Sequence, residues 1–234
     1  MKPVVPSDQL TDNDSDAECL KLANNIASLV LAKYWQLTNQ LTSASITGCK
    51  KVAGVVMTSP VTADKVICVT TGTKCVSAGY PSDSSTVGDC HAEVLARRCL
   101  CRFLCQQIQM FVGGAESVLV RDSESGFALK PGVGFHLFIS SAPCGDARCR
   151  MFEESGGDVE DNRTKRTAGQ LSAKVEGGEG TVPVRSSETA QQTRDRKLSI
   201  MSCSDKLARA NVLGIQGQCH AVILNSSSFT WGRL

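Results

Sequence analysis

Apolar positions along this chain repeat at two periods, and the switches between them divide it into elements. Leu22, Ile26, Leu29 and Val30 recur at helical spacing up to about Trp35, and Ser15 with Glu18 has the spacing of a capping box at the start of that helix. Lys51–Met57 and Lys65–Thr71 are β-branched runs on either side of Thr58-Ser59-Pro60, which predicts a hairpin. Residues 72–88 are rich in Gly, Ser and Thr and read as a loop. From Asp89, a good N-cap residue, a helical pattern runs to about Val112 and stops at Gly113-Gly114. Phe135–Ser140 reads as a buried strand that leads straight into Pro143-Cys144-Gly145. Leu198–Ser202 is a short strand candidate, Asp205–Leu213 a short helix, and after Gly217 the pattern fades.

Two stretches carry no such period. Residues 1–14, with Pro3 and Pro6 among polar and acidic neighbours, read as a disordered lead-in. Residues 150–196 are polar, hold Gly156-Gly157 and Gly177-Gly178, and carry Arg163, Lys165, Arg166, Lys174 and Arg185. An element-poor segment of that length inside a compact domain is either functional or disordered. No internal repeat is visible.

Composition narrows the class. A chain of 234 residues with 41% hydrophobic and 21% charged residues has the profile of one globular domain with a sizeable core, or at most two small ones. Its net charge of +2 is too small to argue for nucleic acid unless a basic face is local. Twelve cysteines could suggest a disulfide scaffold, but Cys68, Cys99, Cys101 and Cys105 lie inside apolar runs, where a reduced thiol packs as a small hydrophobe. No signal-peptide pattern opens the chain, and no apolar run approaches the ~20 residues of a membrane span. The expectation is a soluble, intracellular protein with thiols available for metal.

The chemistry gathers at Gly88–Arg98. His91 and Glu93 fall at the start of the predicted helix, and Pro143-Cys144 follows downstream. This is the H-x-E…P-C half-signature of zinc-dependent nucleobase deaminases. A hydrolytic zinc site needs three protein ligands and an open position for water. His91 and Cys144 are two candidates, each between a loop and a helix start, where the helix dipole favours thiolate. Glu93 is placed to move protons beside the Lewis acid. Spacing alone leaves the third ligand open between Cys149, close to Cys144, and Cys203, at another strand-to-helix junction. A lone His-x-Glu is usually structural; its combination with Pro-Cys and a third junction cysteine points to a metal.

Six ordered blocks resemble the deaminase domain of the adenosine deaminases acting on RNA. They are Lys51–Thr58 (KVAGVVMT), Thr71–Val76 (TGTKCV), Asp89–Arg98 (DCHAEVLARR), Pro143–Arg148 (PCGDAR), Gly180–Arg185 (GTVPVR) and Ser202–Arg209 (SCSDKLAR). Gly169–Arg185 (GQLSAKVEGGEGTVPVR) is closer to the double-stranded RNA-specific editases than to their tRNA-specific relatives. The resemblance implies an α/β, three-layer, cytidine-deaminase-like fold, a mixed central sheet flanked by helices. It implies zinc on His91, Cys144 and Cys203, Glu93 as proton shuttle, and hydrolytic deamination of adenosine to inosine in a flipped-out nucleotide. It matches Glu179 to the residue that fills the vacated space in the duplex. It sets Thr73 and Lys74 against the flipped nucleotide and Val55 in a block lining the base pocket. Arg148, Lys165, Lys174, Ser186 and Lys197 match, or stand in for, groups near the RNA. It also implies a buried inositol hexakisphosphate on Arg97, Arg98, Lys206, Arg209 and Gly217, with Asp89 and Lys206 linking that anion to the zinc shell. An anion would explain two adjacent arginines in a helix that otherwise reads as core, because a buried unpaired guanidinium is costly. The implied substrate is double-stranded pre-mRNA, in the nucleus and also the cytoplasm, with a homodimer as the expected assembly and no membrane.

The chain departs from the family in places. Ala210 stands where tryptophan is usual, Lys165 and Lys197 where arginines are, and Ser172 and Ala168 at two further basic positions. The resemblance is expected to end near Gly217, where the family continues, with no double-stranded RNA-binding domain expected ahead of it. The expected organisation is a lead-in over 1–15, a partial deaminase domain over 16–217, incomplete at its C-terminus, and an atypical tail over 218–234. Two other readings compete: an inactive deaminase-like RNA-binding protein, and a zinc deaminase acting on tRNA or cytidine. The intact ligands weigh against the first, and the long Cys144-to-Cys203 gap and the Glu179 loop against the second.

Overall fold

The computed structural model describes residues 12–39, 51–75, 87–122, 126–148, 171–174, 181–183 and 200–214. Its centre is β1 (Val52–Thr58), which pairs antiparallel with β2 (Lys65–Thr71) on one side and β5 (Gly134–Ile139) on the other. Successive residues of a strand face opposite sides, and here both sides are covered. Ala53, Val55 and Met57 meet Ala92, Ala96, Leu100 and Leu104 of α2 (Ala92–Val112), whereas Val52 and Val56 meet Ile26 and Val30 of α1 (Asp12–Asn39). That is why Val52–Met57 is apolar and buried along its whole length rather than alternating. The result is the expected helix–sheet–helix sandwich. Every strand pairing among the described residues is antiparallel, where the resemblance implied a mixed sheet. The short β1–β2 connection permits only that direction.

Ala92 and Ala96, both fully buried, let the start of α2 lie close on the sheet. Thr70 fixes the approach: its hydroxyl lies 2.7 Å from Ala92 O and 3.2 Å from Ala53 O. The thiols behave as packing groups here. Burial, reinforced by neighbouring Cys99, pushes the Cys68 thiol up to about 12, so it stays protonated against the sheet face of α2.

Several boundaries differ from expectation. The first helix begins at Asp12, three residues before Ser15, so Ser15 lies inside it and part of the expected lead-in is helical. Asp89 does not cap α2; His91 holds that position, and Asp89 instead accepts the His91 N–H at 3.1 Å. A hairpin of β3 (Leu119–Asp122) and β4 (Gly126–Leu129) was not legible, because four-residue strands show too little period. Inside the polar segment, β6 (Ser172–Lys174) pairs with β7 (Thr181–Pro183), and Met201 forms a single bridge to Ala173. The last described helix, α3 (Cys203–Leu213), starts two residues earlier than expected, with Ser202 as its cap accepting Asp205 N–H. No described helix is long and apolar enough to cross a membrane.

Candidate metal centre and active site

Three chain segments converge where α2 begins. His91 caps α2, Cys144 sits in the turn after β5, and Cys203 opens α3. All three are buried, at 0%, 1% and 0% exposure, and their ligand atoms lie within 4.8 Å of one another. His91 Nδ1 is 3.5 Å from Cys203 Sγ and 3.9 Å from Cys144 Sγ. A tetrahedral zinc has N···S edges of about 3.6 Å, from Zn–S near 2.3 Å and Zn–N near 2.1 Å, so this triangle fits the ion. Glu93 Oε1 lies 3.9 Å from His91 Nδ1, on the same side as the thiols.

The donor set also has the right proton chemistry. A hydrogen bond from the Cys203 thiol draws the Cys144 pKa well below the usual thiol range; burial opposes this, and His91 and the Cys203 N–H reinforce it. Cys203 is pushed upward by the same shared proton, then by burial and by Glu93. The two buried thiols are thus coupled, with Cys144 the one held toward thiolate, the form in which a cysteine binds a divalent cation. His91 Nε2 is fully buried with no partner among the described residues, which leaves Nδ1 as the ring atom turned to the ligand cluster.

Beneath the triad lies a buried ion network. Lys174, 2% exposed, donates to Asp89 Oδ1 at 3.0 Å, to Asp89 Oδ2 at 2.9 Å and to Cys203 Sγ at 3.1 Å. Burial alone would lower the Lys174 pKa, but Asp89 and the two thiols outweigh it and raise it. Burial likewise acts to raise Asp89, and the hydrogen bonds from Lys174 and Lys206 overcome it and lower the carboxyl. Lys206 contacts the same Asp89 oxygen from the partly exposed side. This corrects one expectation: Lys174 does not face RNA. Its ammonium is enclosed and committed to Asp89 and Cys203, out of reach of a phosphate.

The segment 72–75 runs antiparallel beside Asp89–Ala92. Cys90 N–H donates to Lys74 O at 2.9 Å, Ala92 N–H to Gly72 O at 3.0 Å, and Cys75 bridges to Asp89. A Cβ on Gly72 would fall 2.0 Å from Cys90 O, so only glycine permits this approach. The pairing brings half-buried Thr73 and exposed Lys74 to the rim of the centre.

The sequence model of the adenosine-deaminase (editase) domain matches residues 68–225. The chain belongs to that editase domain family. It is 39% identical over 228 residues to the double-stranded RNA-specific editase Adar of Drosophila melanogaster, covering 92% of this chain and 33% of that protein. It is 39% identical over 217 residues to the double-stranded RNA-specific editase B2 of Mus musculus, covering 86% of this chain and 29% of that protein. It is 37% identical over 214 residues to the double-stranded RNA-specific adenosine deaminase of Mus musculus, covering 83% of this chain and 18% of that protein. The chain thus spans a third or less of the length of these relatives.

The remaining positions that the resemblance singled out are placed as follows. Arg97, Arg98, Lys206 and Arg209 line one cavity of about 380 Å³ between α2 and α3, together with Glu93, Cys203 and Ala210. Arg97 is half-buried and Arg98 exposed, so neither is enclosed in the core behind α2. Val55 is 1% exposed in the sheet layer under α2, in the same apolar cluster as Ala92 and Ala96. Arg148 is half-buried one turn after Cys144, its N–H donating to Gly145 O at 3.1 Å. Lys165, Glu179, Ser186, Lys197 and Gly217 lie outside the described residues, as does Cys149.

Motif reasoning missed Ser172 and Asp205. Ser172, expected only as a lost basic position, is buried, and its N–H and hydroxyl both donate to Asp205 Oδ2, at 2.8 and 3.2 Å. The Ser-x-x-Asp spacing of Ser202 and Asp205 was the signal available for that junction.

Proposed function

We propose that this chain catalyses hydrolytic deamination of adenosine to inosine in double-stranded RNA. The observation that carries this reading is the buried His91, Cys144, Cys203 triangle with the Glu93 carboxylate beside it. One imidazole and two thiols, three donors with a carboxylate beside them, are the donor set of a hydrolytic zinc site rather than a four-ligand structural one. Zinc bound there would supply a Lewis acid that lets water ionise near neutral pH.

The chain's own groups do the rest. The Glu93 carboxylate takes the proton from the attacking water and returns it to the departing amine at C6 of adenine, so water adds and ammonia leaves. Lys174 donates to Cys203 Sγ and, through Asp89, ties that ligand to the segment leading into α2. Ligands 0–1% exposed cannot meet a base that stays stacked in a duplex, so the adenosine swings out to reach them. Glu179 fills the gap in the helix, Thr73 and Lys74 hold the displaced nucleotide, and Arg148, Lys165, Ser186 and Lys197 bind the flanking backbone. Supporting the substrate class, the three relatives compared above are named as double-stranded RNA-specific enzymes.

The cavity between α2 and α3 holds inositol hexakisphosphate under this reading. Four cationic side chains converge on a space of about 380 Å³, a fit for a compact polyanion. Lys206 links it through Asp89 and Lys174 to the sulfur of Cys203.

The test is inosine formation by the purified chain on duplex RNA, free adenosine and cytidine. The reading expects product from the duplex alone, and loss of turnover with retained RNA binding in Glu93→Gln. Full turnover by Glu93→Gln, or product from cytidine in place of the duplex, would overturn it.

A further inference from the structure

Cys203 stands between two serines, and each ties a different neighbour to the centre. Ser202, fully buried, donates its N–H to Ser172 O at 2.8 Å and its hydroxyl to Asp205 Oδ2 at 2.7 Å, which fastens β6 and with it Lys174. Ser204 faces the opposite way. Its N–H donates to Cys144 O at 3.0 Å, and its hydroxyl donates to the same oxygen at 2.9 Å. That hydroxyl also lies 3.4 Å from Pro143 O and accepts Ala147 N–H at 3.2 Å. One side chain therefore spans the turn that carries Cys144, from the residue before the ligand to the third residue after it.

The close fit of the two segments is visible at Gly145. A Cβ there would fall 2.6 Å from Ser202 Oγ and 3.1 Å from Ser204 Cβ, and its φ of +104° is one that other residues rarely adopt. The turn thus rests directly on the first residues of α3 with no side chain between them. Cys144 and Cys203 are 59 residues apart in sequence, yet Cys203 N–H reaches Cys144 Sγ at 3.3 Å.

We propose that Ser204 is a positioning residue of the metal centre, setting the separation of the Cys144 and Cys203 sulfurs by holding the Pro143–Ala147 turn against the start of α3. This rests on the zinc reading given above. Zinc accepts only a narrow range of donor separations, and groups that orient its ligands typically change metal affinity 10–100-fold. Ser204 acts on the backbone of one ligand from a residue adjacent to the other, so it couples both thiolates.

The test is zinc affinity of the full chain by chelator competition, with the absorption spectrum of the cobalt-loaded form as a second readout. Ser204→Ala should bind zinc about 10-fold or more weakly and shift the cobalt–thiolate absorption. Ser204→Thr, which keeps the hydroxyl, should restore both. Ser117→Ala is the control for ordinary structural loss: that buried hydroxyl donates to Gln107 O at 2.9 Å and accepts Leu119 N–H at 3.2 Å, and its removal should lower stability without changing metal affinity. Wild-type affinity and spectrum in Ser204→Ala, or equal weakening in Ser117→Ala, would overturn the assignment. Failure of the unaltered chain to bind zinc or cobalt would instead remove the zinc reading, and this inference with it.

Discussion

Replacing Lys174 by methionine isolates the buried ion network from the ligands above it. The side chain keeps its length and apolar stem but loses three charge-assisted hydrogen bonds, at 3.0 and 2.9 Å to Asp89 and 3.1 Å to Cys203. Breaking a buried pair by removing one partner costs about 3–5 kcal/mol, because the other charge is left enclosed. Asp89, 4% exposed, retains Lys206 and the His91 N–H, so the loss should lie near the lower end, about 3 kcal/mol. Pairing Lys174→Met with Asp89→Asn removes both charges, and the double variant should be less destabilised than the sum of the singles by about 1–3 kcal/mol. The pH dependence has a definite sign. Asp89 is lowered in the folded state, so its contribution is present above the ordinary carboxyl pKa and is lost as pH falls through the depressed folded value. Lys174 is raised, so its contribution is complete below the ordinary lysine pKa and is lost as pH rises through the elevated folded value. Urea unfolding followed by circular dichroism, carried from below pH ~3.9 to above pH ~10.4, covers both windows. A Lys174→Met loss under about 1 kcal/mol, the range of exposed pairs, would refute the enclosed network. So would strict additivity in the double variant.

Four further outcomes follow. Gly72→Ala should lower the melting temperature by several degrees, because its Cβ would meet Cys90 O at 2.0 Å; an unchanged melting curve would contradict the pairing of residues 72–75 with Asp89–Ala92. Leu100→Ala, at a site 1% exposed between α2 and the sheet, should cost about 2–5 kcal/mol in urea unfolding, whereas Val61→Ala, 88% exposed, should cost under about 0.5. Inositol hexakisphosphate should raise the melting temperature of the unaltered chain and not that of an Arg97→Ala, Arg209→Ala variant; equal shifts in both would remove the anion from the α2–α3 cavity. Stripping zinc with a chelator should destabilise the unaltered chain and leave Cys203→Ala, already without the ion, unaffected.

The parts of this molecule legible in sequence are those where a local pattern and a chemical motif coincide. β1, β2, α2 and β5 each carry a strong hydrophobic period, and the metal ligands sit at their ends: His91 before α2, Cys144 after β5, Cys203 opening α3. Spacing could not choose between Cys149 and Cys203, because a ligand 59 residues from Cys144 is brought back by tertiary pairing of β6 with Met201, not by any local rule. Lys174 was misread for a related reason. In a polar, glycine-rich stretch an isolated lysine looks solvated, and its burial depends on Asp89, 85 residues away. Asp89 itself had two plausible uses, helix cap or ion partner, and two lysine ammonium groups outbid one backbone N–H. The short hairpins β3–β4 and β6–β7 gave no period long enough to see.

X-ray absorption at the zinc edge of the purified, metal-loaded chain tests the central claim most directly. One zinc per chain is expected, with one nitrogen ligand, two sulfurs near 2.3 Å and a light atom in the remaining position. Cys203→Ala should lose the metal. A zinc held by four sulfurs, or a sulfur count unchanged in Cys203→Ala, would contradict the convergence of His91, Cys144 and Cys203 on a hydrolytic centre.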